Sequence, residues 1–337
     1  MLLTGLCRNA LRAMYLRSKL PAPIEANDLV FTSLTKCPLH SAENFVSILR
    51  VRFIEPPDRW VVENSNVKDY SGEKNSNQLP FRVHADPYEP TGYEMPYIVD
   101  GNALFLTATE AAWRRAASSH FAGGGNVVAI GYPLTRKLYD ARRRSLDLTP
   151  PTQAQIPGYG GADLCLDFID KAVRPAIKER FPKLSFSREA LYGHSYGGLF
   201  ALHALFTRPQ SFDCYIASSP SIWWNSRCIL HEAKSFLDKA KEADEQTPSL
   251  MVFFGSHEQS PPQWNNEPLD HYEARKQIAS DLRMGDNARD LVEMVRRSER
   301  LHTVVVNEYE GEEHTSVMAC SMSRGLTAFF EDWPLPN

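Results

Sequence analysis

The sequence predicts an α/β protein with a mostly parallel central sheet and helices on both faces. Three observations lead there. Short, almost wholly apolar runs recur along the chain, stretches with helical patterning separate them, and glycines sit at several of the joins. Strands covered on both faces lose the polar alternation of half-exposed ones, so unbroken apolar runs between helices point to parallel pairing under two helical layers.

The elements follow in order. "FVSILRVRFI" (Phe45 to Ile54) alternates enough to form a strand. Residues 56–94, with "NSNVKDYSGEKNSNQ" among them, are polar and rich in Pro and Asn, and read as a loop or insertion. Buried-strand candidates then come at "PYIVD", "NVVAIGY", "EALYGHS", "CYIASSP", "SLMVFFGS" and "HTVVVNEYEG". Helical stretches lie between and after them: "EAAWRRAASSH", "GADLCLDFIDKAVRPAIKERF", "YGGLFALHALF", "EARKQIASDLRM" and "SVMACSMSRGLTAFFEDW". Residues 41–337 therefore read as one domain and residues 1–40 as a basic N-terminal extension. That extension carries Arg8, Arg12, Arg17 and Lys19 with no acid before Glu25. It reads as a basic surface helix, with a mitochondrial presequence as the alternative.

Composition narrows the function classes. A chain of 337 residues, 43% hydrophobic and 23% charged, can bury a sizeable core. A net charge of −4 gives no reason to expect nucleic acid or an anionic membrane as partner. No apolar run approaches the ~18 residues of a membrane-spanning helix. The six cysteines are scattered, without metal-like spacing, and are expected as thiols in a cytoplasmic compartment. Neither a cofactor nor a resident metal is expected.

Ligands of such sheets bind beyond the carboxyl ends of the strands, so chemistry is sought there. Gly193-His194-Ser195-Tyr196-Gly197 is a G-x-S-x-G pentapeptide between a strand and an apolar helix, the setting of a nucleophile elbow. The turn strains the serine backbone and needs small residues two before and two after it. Ser195 is thus the expected nucleophile, and the backbone N–H of Tyr196 an expected oxyanion donor. A serine hydroxyl needs a base, and the base an orienting acid, in the chain order Ser, acid, His. Of ten histidines, His314 in "EYEGEEHTSV" lies between the last strand and the last helix, where the base belongs. For the acid, Glu258 in "FFGSHEQS" has the favoured position, with Glu267, Asp270, Glu312 and Glu313 nearby. A second oxyanion donor is expected from Gly101, with Asn102 as the alternative, in "IVDGNALF".

These segments, together with "YDARRRSLDLTPP" and "SPSIWWN", resemble the esterase-D-type α/β hydrolases. Within them they resemble the bacterial and fungal siderophore esterases that cleave enterobactin, bacillibactin or triacetylfusarinine C. The similarity runs from about Phe45 to the C-terminus and leaves out the first 40 residues and the 56–94 stretch. It implies the α/β-hydrolase fold, a small-molecule ester substrate that carries iron, and Ser195, Glu258 and His314 as matching positions. Arg142 matches the family's arginine, and it heads a basic run that could attract an anionic chelate. Trp223 and Trp224 offer one apolar wall for the site, with the other ring going into the core. A general carboxylesterase or thioesterase on a smaller metabolite is the competing expectation.

Overall fold

Among the described residues, eight strands form one sheet in the order β1-β2-β4-β3-β5-β6-β7-β8, parallel throughout except for the antiparallel β1–β2 pair. The computed structural model describes the backbone of residues 34–36 and 45–51, then residues 93–116, 127–132, 137–152, 156–180, 182, 186–241 and 246–331. The strands are β1 (Leu34–Lys36), β2 (Phe45–Val51), β3 (Tyr93–Ile98), β4 (Val127–Ile130), β5 (Phe186–His194), β6 (Cys214–Ser218), β7 (Ser249–Gly255) and β8 (Val304–Tyr309). Every strand expected from the sequence is present. β1 is additional, and it falls inside residues 1–40, the stretch set apart as an extension. The basic segment before it lies outside the described residues, as do most of residues 56–94.

The period-2 geometry of the strands divides the core. Leu191, Tyr215 and Val252 point to one face, which is covered by α3 (Ala162–Phe168), α4 (Arg174–Arg180), α5 (Tyr196–Thr207), α6 (Trp224–Leu237) and α8 (Met284–Val295). A π-helical turn, Ile169–Val173, joins α3 to α4. Their neighbours Tyr192, Ile216 and Phe253 point to the other face, under α1 (Gly101–Ala116) and α9 (Val317–Glu331). Helix α7 (Leu269–Leu282) buries little and lies at the periphery. Helix α5 is buried at all ten positions from Gly197 to Phe206, so its apolar character all round is the expected composition of a central helix.

Three helices lie in segments to which the sequence pattern assigned no element. The basic run Arg142–Arg144 belongs to α2 (Ala141–Asp147), started by Asp140, whose Oδ1 accepts the Arg143 N–H at 3.0 Å. Helix α6 begins within the tryptophan pair and is interrupted at once by Asn225, Ser226 and Arg227, all left-handed with φ of 47°, 56° and 63°. Helix α8 continues directly from α7 through left-handed Arg283, φ 49°.

Candidate active site

The elbow is as tight as the pentapeptide requires. Ser195 sits at φ 61°, ψ −115°, a conformation that L-residues avoid and that a packed surrounding must hold. A Cβ on Gly193 would lie 2.0 Å from the Gly197 carbonyl oxygen, and one on Gly197 would lie 2.9 Å from Val99 Cγ2. Backbone bonds pin the turn: Ser195 N–H donates to Ser218 O at 2.9 Å, and Ser195 O accepts from Leu199 and Ser221 N–H at 3.0 and 3.1 Å. The Ser195 Oγ rests 3.3 Å from Ser221 Oγ.

Glu258 and His314 arrive from the ends of neighbouring strands. Glu258 closes a single 3-10 turn after β7, and its side chain is 1% exposed. Oε1 accepts from the Gly255 N–H at 2.7 Å and the Ser219 hydroxyl at 2.6 Å, while Oε2 is 2.6 Å from His314 Nδ1. The carboxylate is thus fully engaged, and its third partner is the imidazole. The two loops are stitched together besides: His257 N–H donates to Glu312 O at 3.0 Å, and Gly311 N–H to Ser256 Oγ at 2.9 Å. Gly255 is required where they meet, since a Cβ there would lie 2.2 Å from Glu312 O. Of the alternative acids, Glu267 pairs with Arg275, Glu313 caps the next turn by accepting from Ser316 N–H, and Asp270 is exposed.

The loop after β3 faces the elbow from the other side. Gly101 begins α1 so close to β4 that a Cβ would lie 2.8 Å from the Ala129 carbonyl carbon. The N–H groups of Gly101, Asn102 and Tyr196 all lie in first helical turns, where backbone N–H groups point out of the helix end. The side chain of Asn102 is committed elsewhere: Oδ1 accepts from Tyr132 N–H at 2.6 Å and Nδ2 donates to Tyr132 O at 2.9 Å. Any part it takes in the site is through its backbone.

The arginine run divides among three environments. Arg142 is exposed, and Arg143 pairs with Asp147 at 2.6 Å. Arg144 is half-buried and forks onto the buried Asp100, Nε to Oδ1 at 3.0 Å and Nη2 to Oδ2 at 2.8 Å. Burial alone would lower the Arg144 pKa, but the Asp100 carboxylate outweighs it and keeps the guanidinium charged. Asp100 itself has φ 54° and directly precedes Gly101, so this pair anchors the loop beside the elbow. Trp223 is half-buried with its ring 6.1 Å from Tyr196, and Trp224 is 5% exposed with its ring 6.0 Å from Tyr159. Sequence reasoning gave Asp100, Arg144 and Ser219 no partner, and did not single out Ser221 or Tyr159. The first two are 44 positions apart and carry no local signal of their pairing. Among the described residues, no group of three or more His, Cys, Asp and Glu could hold a metal ion, and no helix is long and apolar enough to cross a membrane.

The Esterase family model matches residues 76–291. The chain is 67% identical over 265 residues to the siderophore triacetylfusarinine C esterase of Aspergillus fumigatus, covering 78% of this chain and 91% of that one. It is 47% identical over 242 residues to the siderophore enterobactin esterase of Emericella nidulans, covering 68% and 80%. The solved structure of siderophore hydrolase EstB from Aspergillus nidulans matches with a TM-score of 0.70 at 58% identity, covering 74% of this chain and 86% of that one. Agreement of that extent, in sequence and in backbone, places the chain in the esterase family on the α/β-hydrolase fold.

Proposed function

We propose that this protein is a serine esterase that opens the ester bonds of a ferric siderophore of the triacetylfusarinine C type, so that the captured iron can be released. The observation that carries the reading is the 2.6 Å bond between Glu258 and His314, set beyond the strand ends beside a strained elbow serine. Glu258 holds the His314 proton on Nδ1, leaving Nε2 as the base. Ser195 Oγ turns from Ser221 toward His314, gives up its proton and attacks the ester carbonyl. The N–H of Tyr196 and that of Gly101, or of Asn102, receive the oxyanion. Collapse of the tetrahedral adduct expels the alcohol, which takes its proton from His314. Water, deprotonated by His314 in turn, releases the acid and restores Ser195.

Charge favours a hydroxamate chelate over a catecholate one. Three monoanionic hydroxamates neutralise ferric iron, whereas three catecholates leave a trianion. Two of the three clustered arginines are already paired with acids, Arg143 with Asp147 and Arg144 with Asp100. The 67% identity to a triacetylfusarinine C esterase points the same way. We place the reaction in a reducing, cytoplasmic compartment, a reading supported by Cys165, Cys228 and Cys320, none of which is in a disulfide.

The test is product analysis by mass spectrometry with wild type and Ser195→Ala, each given ferric triacetylfusarinine C, ferric enterobactin and a short-chain nitrophenyl ester. Linear or monomeric fusarinine products from wild type alone are expected. Turnover of only the nitrophenyl ester would overturn the substrate assignment, and activity surviving in Ser195→Ala would overturn the mechanism.

A further inference from the structure

His194, inside the elbow pentapeptide, has no part in the mechanism above, yet it is 6% exposed and lies against the base. Its ring centroid is 4.6 Å from that of His314, with the planes tilted by 46°. Behind it runs a chain of buried hydroxyls. His194 Nδ1 is 3.0 Å from Ser218 Oγ, Ser218 Oγ is 2.8 Å from Ser321 Oγ, and Ser321 Oγ is 2.8 Å from Tyr192 OH. Ser321 also donates to the Met318 carbonyl at 3.2 Å. These partners come from β5, β6 and α9, so the His194 ring is fixed by three elements of the core.

His314 is held less completely. It stands on a loop that turns through Gly311 at φ 77°, and its side chain is 44% exposed. The Glu258 bond fixes one ring atom, but the imidazole can still swing about that contact. A second contact, on the ring face, is what defines the direction of Nε2. We propose that His194 is a positioning residue that supplies this contact, a platform holding the His314 ring so that Nε2 meets the Ser195 hydroxyl. The inference rests on the esterase reading of the site.

Electrostatics suits the platform. Burial first, then His314 and Arg144, push the His194 pKa well below the ordinary histidine value, so the ring stays neutral at working pH. When His314 takes the serine proton it therefore meets an uncharged aromatic face rather than a second cation.

Two substitutions separate the ring from its hydrogen bond. His194→Phe keeps a flat face and drops the bonds to Ser218 and to the His314 backbone, whereas His194→Gln keeps a polar end for hydrogen bonding and drops the face. With active sites titrated by a fluorophosphonate, kcat on the short-chain nitrophenyl ester is expected to fall about 100-fold in His194→Gln, since misplacement of about 1 Å costs that much. KM should change less than about threefold, and His194→Phe should stay within about fivefold of wild type. The low-field proton resonance of His314 Nδ1–H, identified by its loss in Glu258→Gln, should broaden in His194→Gln and persist in His194→Phe. Equal kcat in wild type and folded His194→Gln would overturn the proposal, as would a loss in His194→Phe matching that in His194→Gln. Should the glutamine variant fail to fold, a loss beyond about 30-fold in folded His194→Phe overturns it alone. If wild type hydrolyses no ester at all, the esterase reading fails, while the resonance still reports whether His194 holds His314.

Discussion

Replacing Glu258 by glutamine tests the geometry most directly, because the change is nearly isosteric and its consequence can be worked out atom by atom. Oε1 accepts from two fixed donors, Gly255 N–H and the Ser219 hydroxyl. The single oxygen of glutamine must take that place, since an amide nitrogen there would face two donors. Its NH2 group then points at His314 Nδ1, where wild type presents an acceptor 2.6 Å away. The imidazole can bond to it only by accepting at Nδ1, which moves its proton to Nε2 and removes the base facing Ser195. Loss of the correct tautomer in a serine–histidine–acid arrangement costs about 10⁴-fold in kcat, or about 5 kcal/mol of transition-state stabilisation. Stability should fall much less, by about 2 kcal/mol, as two bonds to a charged acceptor become bonds to a neutral one. Steady-state kinetics on the nitrophenyl ester, with thermal melting alongside, reads both quantities. A loss of kcat below about tenfold in a folded variant would refute the idea that Glu258 sets the His314 tautomer.

Other perturbations report on the frame around the site. Burial pulls the His203 pKa down, but Asp163 and Glu232 raise it to about 9 from 6.5, so its bonds stabilise the fold fully below about pH 6.5 and are lost as pH rises toward 9. That span corresponds to about 3 kcal/mol, and the melting temperature should fall across it in wild type but much less in His203→Gln; parallel curves would sink the assignment. Gly193→Ala has no room beside the Gly197 carbonyl and should yield no folded protein, whereas Gly158→Ala meets nothing within 4 Å and should cost only about 1–2 kcal/mol for its φ of 81°; comparable melting of the two variants would contradict the elbow packing. Arg144→Met leaves Asp100 buried without its partner and should cost about 3–5 kcal/mol, partly recovered by adding Asp100→Asn; a single variant that melts like wild type would show that the pair does not anchor the loop. Arg142→Ala should leave kcat/KM for a neutral ferric hydroxamate unchanged at low and high salt, and a salt-dependent loss would show that charge steering operates after all.

Much of the fold was legible because the signals are local. Parallel strands covered on both faces must be apolar along their length, and Val127–Ile130 and Cys214–Ser218 are buried at every position. The glycines around Ser195 are equally readable, because steric demand at a strand–helix turn acts within five residues. Three helices escaped, two of them for physical reasons. Charge masks the capped turn of α2 and left-handed residues break the start of α6, whereas α8 carries the i, i+3, i+4, i+7 apolar repeat of an amphipathic helix at Ala288, Leu291, Val292 and Val295 and was legible all the same. For the site, the sequence alone determines which residue types are present and their order along the chain, and so the class of chemistry on offer. Only the tertiary structure decides which groups meet. It joins Glu258 to His314 across 56 positions, directs Arg144 rather than Arg142 to the elbow, commits the Asn102 amide to Tyr132, and lays His194 against His314. Those outcomes depend on sheet order and register, which bring distant strand ends within a few ångströms, and no local pattern of residues encodes a distance between strands.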